Sequence, residues 1–221
     1  MSTFTQLTWP VQDIAAVCVL QNAAAGVPLL LNGTLSDPSI PSQVSFIKNL
    51  MIRSVSITST LDLSGTTFVI TGLQNSAYVT ESIVGPNNTT VYGTLYYDIV
   101  TSVVASTNIN APGVSIGTGN AGFFPLLIIN SLAQSINYSA SALLPPGSGI
   151  NYSFFQTLDQ VNNNFITFEN QITKFFPSMG LVNETTSQIG HSTQIANFVL
   201  LKINSSTTPI TDTFDFVFLQ A

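Results

Sequence analysis

The sequence predicts an all-β protein: two small antiparallel β-sandwiches in tandem, immunoglobulin-like or jelly-roll-like, preceded by an amino-terminal arm. Three observations point there. Runs of about five to nine residues alternate Val, Ile, Thr, Phe and Tyr with polar residues, which is the two-residue period of a half-buried strand. Turn residues punctuate those runs roughly every ten positions, the spacing of a sandwich. Helix formers are scarce, because Glu, Lys and Arg are few and β-branched residues interrupt every candidate. Gln160 to Gln171 offers a turn or two of helix at most.

In chain order, residues 1–27 are apolar but irregular and include Trp9-Pro10. They read as an arm that packs on a neighbour or as a first strand. The first sandwich is expected over residues 28–118. Its strands are Val55 to Thr58, Thr67 to Thr71 after a turn at Ser64-Gly65, Tyr78 to Val84 after Gly72, Thr90 to Leu95, Ile99 to Ala105 and Val114 to Ile116. Gly85-Pro86-Asn87-Asn88 supplies a turn with the required backbone angles. Phe68, Ile70, Val79, Ile83, Val100 and Val103 are placed to fill the core between the sheets.

Gly113, Gly117, Gly119 and Gly122 crowd into ten residues, and this stretch reads as the domain boundary. The second sandwich, residues 119–221, has candidate strands at Phe123 to Ile129, Ile136 to Leu143, Ile150 to Thr157, Ile195 to Asn204 and Thr211 to Gln220. Leu158 to Gly190 reads either as a structured long loop or as a stretch containing one short strand around Thr185 to Ile189. Long loops on β scaffolds commonly make the contacts with partners.

Charge is the unusual feature. Only 6% of the 221 residues are Asp, Glu, Lys or Arg, against about 25% in an average soluble domain. A neutral surface of Ser, Thr, Asn and Gln is poorly protected against self-association, so the chain is expected to work inside an assembly. The four basic residues, Lys48, Arg53, Lys174 and Lys202, are scattered singly through a chain of net charge -6. Nucleic acid and anionic membranes, which need clustered cations, are therefore not expected partners. Apolar runs such as Phe123 to Ile129 are too short to span a bilayer, and Met1 to Pro10 lacks the basic region of a secretory signal.

The inventory of reactive groups is thin, and no catalytic, cofactor-binding or metal-binding residue is expected. A Ser-His-Asp triad would have to use His191, the one histidine, with Asp212 or Asp215. No strained nucleophile turn accompanies it, since Gly147-Ser148-Gly149 follows a Pro-Pro turn. His191 reads as a loop residue beside Gly190. Asp159 and Glu169 are the carboxylate pair for sugar cleavage, weighed against solvated loop acids. Asp212 with Asp215, or Asp62 with Ser64, have oxygens for calcium but lack a loop of alternating acids. Cys18, the single cysteine, excludes an intrachain disulfide and reads as a small buried hydrophobe. Asn-x-Ser/Thr triplets at Asn32, Asn87, Asn88, Asn137, Asn151, Asn183 and Asn204 follow from composition and receive no role.

Three stretches carry a resemblance. The first is Ile14 to Gly33, ending in Pro28-Leu29-Leu30-Leu31-Asn32-Gly33. The second holds Arg53-Ser54-Val55-Ser56-Ile57-Thr58-Ser59, Asp62-Leu63-Ser64-Gly65-Thr66-Thr67-Phe68-Val69-Ile70-Thr71-Gly72, Val79-Thr80-Glu81-Ser82-Ile83-Val84-Gly85-Pro86-Asn87 and Val100-Thr101-Ser102-Val103. The third is Ile150-Asn151-Tyr152-Ser153 with Gln156-Thr157-Leu158-Asp159, closing on Phe216 to Ala221. Together they resemble a family of tailed-bacteriophage virion proteins encoded among the head and tail structural genes. This chain is richer in Asn, Ile and Phe than that pattern. The resemblance implies a non-enzymatic virion component assembled in the host bacterial cytoplasm, and a capsid decoration or cement protein is the leading expectation. Its partners would be the major capsid protein or other virion proteins, and it would form a homo-oligomer, a trimer being favoured. The alternatives are a tail, head-tail connector or fibre-adaptor component, and a host-glycan-binding or glycan-cleaving surface protein, which the aromatic and amide residues of Phe154 to Phe176 motivate and for which Tyr152 and Asn164 are the residues to replace.

Residues 1–27 carry one charge, Asp13, and more apolar surface than a free terminus normally exposes. Leu7, Trp9, Ile14, Val17 and Leu20, with Val19 beside them, are the candidate docking residues. At about 25 cal/mol per Å² their burial against a partner supplies several kcal/mol before ordering costs.

Overall fold

Every regular element among the described residues is a strand, and the reason is local: the alternating runs above have one face to bury and no helical period. A computed structural model of the chain describes residues 3–9, 12–37, 39–46, 52–74, 77–124, 127–128, 138–144, 147, 149–157, 176–177, 181–192, 198–206 and 214–220. Among the described residues there are several antiparallel sheets and no helix. The expected helical turn at Gln160 to Gln171 lies outside them.

Two compact units divide the chain, Gln12–Gly122 and Met1–Val11 with Phe123–Ala221. The expected division at residues 28–118 and 119–221 places its second boundary close to this one. It assigns the amino terminus differently.

In the central unit, one sheet has the order β3 (Ser36–Asp37), β4 (Ile40–Ser45), β9 (Ile99–Ala105), β6 (Thr67–Gln74) and β7 (Ala77–Val84). The other strands of this unit are β2 (Cys18–Ala23), β10 (Ile109–Phe123), β5 (Ile52–Asp62) and β8 (Asn87–Tyr92), neighbours in that order. Phe68, Ile70, Val100 and Val103 from the first set share one buried cluster with Val55, Ile57, Val114 and Ile116 from the second. This is a sandwich core. Ile83 belongs to the same cluster and Val79 packs against it, so all six core residues expected from alternation face inward. Burying each such side chain contributes roughly 1.5–3 kcal/mol.

The division between the units falls at the end of the glycine-rich stretch, after Gly122, and that stretch is itself part of β10. The four glycines lie within a strand of 15 residues, most of it buried. A Cβ at Gly117 would strike the Asp13 carbonyl oxygen, and one at Gly119 would strike Ser54 Oγ. Gly113, at φ 92°, lies in the left-handed region that glycine tolerates. Gly113, Gly117 and Gly119 serve close backbone approach, a known use of glycine inside a strand.

The other unit contains a sheet ordered β1 (Thr3–Trp9), β17 (Phe214–Gln220), β12 (Tyr138–Leu143) and β15 (Gln188–Ser192). Beside it run β14 (Phe176–Pro177), β13 (Ile150–Thr157) and β16 (Phe198–Ser206), with β11 (Leu127–Ile128) on β16. Thr3 pairs with Gln220 and Trp9 with Phe214, so the start of the chain is a strand closed by its end. Residues 1–27 are thus not one arm: Thr3–Trp9 and Cys18–Ala23 join different units. Ala140 and Ala142 are buried in β12 while Ser139 and Ser141 are less so, which is the period of two expected there.

Candidate docking surface

Several of the central unit's exposed apolar side chains lie in or close in sequence to β2 and the segment that follows it. Ile14 is 46% exposed, Leu20 59%, Val27 54% and Leu30 62%, with Val19 close behind. Local chemistry sets this arrangement. Gly26 N donates to the Ala105 carbonyl and Leu29 N to the Val103 carbonyl, which attaches residues 26–29 to β9. Beyond that point Leu29 and Leu31 turn into the core and Leu30 turns out, by simple alternation.

Side-chain amides then do what a backbone ladder would do. Gln21 Nε2 donates to the Leu30 carbonyl at 2.9 Å, and Gln21 Oε1 accepts from Leu30 N at 3.1 Å. Val19 N donates to Asn32 Oδ1 at 3.1 Å, and Gly33 N to the Val17 carbonyl at 3.0 Å. Asp13 caps the start of the segment, its Oδ1 accepting from Ala15 N and its Oδ2 from Thr34 Oγ1. The apolar surface therefore rests on a pinned backbone. That lowers the ordering cost of binding.

The five candidate residues separate. Ile14 and Leu20 are exposed in the central unit. Val17 is a correction: it is wholly buried in the core cluster, held there because its N–H and carbonyl both bond inward, to Ile116 O and Gly33 N. Leu7 and Trp9 lie on β1 of the other unit, opposite Phe216 and Phe214. Sequence reading missed Val27 and Leu30. The Leu-Leu-Leu run hid Leu30, because alternation inside a uniformly apolar run is invisible until its partners are known.

The residues weighed for chemistry are dispersed. His191 is a second correction, since it stands in β15 opposite Ser139 rather than in a loop. Asp215 is in β17 opposite Thr8 and Leu143. Asp62 Oδ1 accepts from Ser64 N at 3.0 Å and Ser64 Oγ at 2.7 Å, and these bonds hold its carboxyl below the usual range. That is turn chemistry. Asp159, Glu169, Asp212 and Asn164 lie outside the described residues. Burial pushes the Cys18 thiol up to about 12, leaving it protonated and poorly nucleophilic at neutral pH. Among the described residues no group of three or more His, Cys, Asp or Glu side chains converges on a metal position.

Two polar positions, buried Arg53 and half-buried Asn204, shape the scaffold. Arg53 Nη2 donates to the Gly119 carbonyl at 2.8 Å, and burial lowers the guanidinium to about 9, still charged at neutral pH. In the other unit Asn204 is the bulge residue between the pairs Asn151 with Ser205 and Tyr152 with Ile203. Its Nδ2 donates to Asn151 Oδ1 at 2.6 Å and Ser153 Oγ at 2.8 Å, with Asn183 Oδ1 at 3.2 Å. Three of the Asn-x-Ser/Thr triplets thus meet in one knot. Tyr152 is buried, donates to the Thr186 carbonyl at 3.0 Å and stacks edge-on with Phe154, so it presents no free face to a sugar ring.

Compared with known proteins, the chain matches no family model and no curated protein.

Proposed function

We propose that this chain is a non-enzymatic structural protein of a bacteriophage particle that decorates the capsid shell and stabilises it by bridging major capsid subunits. One observation carries the reading: exposed Leu20 and Leu30, with Ile14, Val19 and Val27, sit on a pinned backbone in a protein with few charges. Aliphatic side chains exposed beside a rigid β framework suit attachment to a large apolar partner. The turn-and-strand motifs that resemble virion proteins support the same reading. So does the low-charge surface, which favours an assembled state over a free monomer.

In this account the protein reaches the virion from the host cytoplasm, and attachment at many points makes modest contacts tight. Quantitative gel analysis of purified particles tests it. Hundreds of copies per particle are expected for a shell-wide role. A dozen or fewer would instead place the chain at a tail or head-tail connector, and absence from particles would overturn the virion reading.

A further inference from the structure

The geometry points to β7 as a self-association edge: two copies of the chain join their five-stranded sheets by antiparallel pairing of β7 with β7 about a two-fold axis. This inference stands apart from the virion reading, because it depends only on the central unit.

β7 ends its sheet, and at eight residues it is the longest edge strand among the described residues. It pairs with β6 residue for residue from Thr67 with Val84 to Gln74 with Ala77, without a bulge. Gly85 N donates to the Thr66 carbonyl, continuing that ladder, so the odd-numbered residues Ala77, Val79, Glu81 and Ile83 bond inward to β6. On the other side of β6, Ser106 N donates to the Thr67 carbonyl, which gives the odd residues of β6 to β9 and agrees with this assignment. The backbone groups of Tyr78, Thr80, Ser82 and Val84 therefore face away from the sheet.

Natural edges are blunted by proline, lysine, bulges or very short strands. β7 has none of these. The other edges of the central unit do: β8 has Asn88 at φ 49° and a register shift, β2 shifts register twice on β10, and β3 is two residues long. The side chains of the outward-facing residues are uncharged, and Tyr78 is 77% exposed and Val84 60%. The one acid of the strand, Glu81, is turned onto the neighbouring loop, where its Oε1 accepts from Thr94 N at 2.5 Å, Thr94 Oγ1 at 2.7 Å and Leu95 N at 3.2 Å.

Charge also selects the register. Centring the pair on Glu81 would set two carboxylates directly opposite, which is destabilising. Centring it on Thr80 sets Thr80 against its own copy, Tyr78 against Ser82 and Val79 against Glu81. The outward backbone groups of Tyr78, Thr80 and Ser82 are then all paired. A two-fold contact builds dimers, a different symmetry from the trimer favoured on sequence.

Sedimentation of the full chain and three variants tests this. The parent is expected at twice the 23.6 kDa chain mass and Thr80→Lys at one chain mass, with an unchanged β-type circular dichroism spectrum. Thr80→Cys is expected to form a disulfide-linked pair on mild oxidation, because Cα atoms about 5.5 Å apart suit a disulfide. Ser82→Cys is not expected to link, and buried Cys18 does not compete. If Thr80→Lys fails to fold, the two cysteine variants decide. A monomeric parent, a trimer untouched by Thr80→Lys, or equal linking through Thr80→Cys and Ser82→Cys would overturn the proposal.

Discussion

Gly119 has no room for a single methyl group, since the added carbon would strike Ser54 Oγ and lie 2.7 Å from the Ser54 carbonyl carbon. Gly65 has nothing within 4 Å of the same position. Replacing each with alanine should therefore separate them in urea denaturation. Gly119→Ala is expected to lose about 1–3 kcal/mol by overpacking, while Gly65→Ala stays within about 0.5 kcal/mol of the parent. Equal midpoints would mean that β10 does not lie against Ser54. The same residue scale explains what the glycine-rich stretch conceals. Four glycines in ten residues mark the boundary, which falls after Gly122, and only the identity of the opposing backbone reveals that Gly113, Gly117 and Gly119 also serve close approach. Cys18 was legible, because a small apolar-flanked thiol has one comfortable place, the interior.

At the scale of elements, the strands were legible where alternation was clean and flanked by turns. Ile99–Ala105 and Ile150–Thr157 have the expected bounds, and Thr67–Gln74 and Ala77–Val84 extend theirs by only a few residues. Partners were not legible. Nothing local to Thr3–Trp9 says that it pairs with Phe214–Gln220 across almost the whole chain, because pairing depends on distant sequence. The docking surface was half legible for the same reason. An apolar run announces that something is buried, whereas which of its residues, Val17 or Leu20, lies in the core depends on how the segment is placed against β10. Leu20→Asp with Leu30→Asp tests the surface at this scale. Both side chains are exposed, so the double variant should fold with stability within about 0.5 kcal/mol per site. Its incorporation into particles should fall tenfold or more, the equivalent of about 1.4 kcal/mol of attachment. Normal incorporation would remove this face from the account.

For the whole molecule, the governing quantity is the scarcity of charge. With 6% charged residues, few hydrated charges cover the surface, and exposed Leu, Val and Ile side chains on pinned strands favour contact over solution. Two surfaces of one unit are proposed to use that property, the apolar set near β2 for the shell and the β7 edge for a second copy. Both follow from backbone and packing, and neither calls on a reactive side chain. The most direct measurement of the central claim is imaging of the intact particle at a resolution that traces strands. The account predicts the chain's density repeated over the capsid shell, with the Leu20 and Leu30 face against the major capsid protein. Density confined to the tail or one vertex, or a shell contact made through a different face, would contradict it.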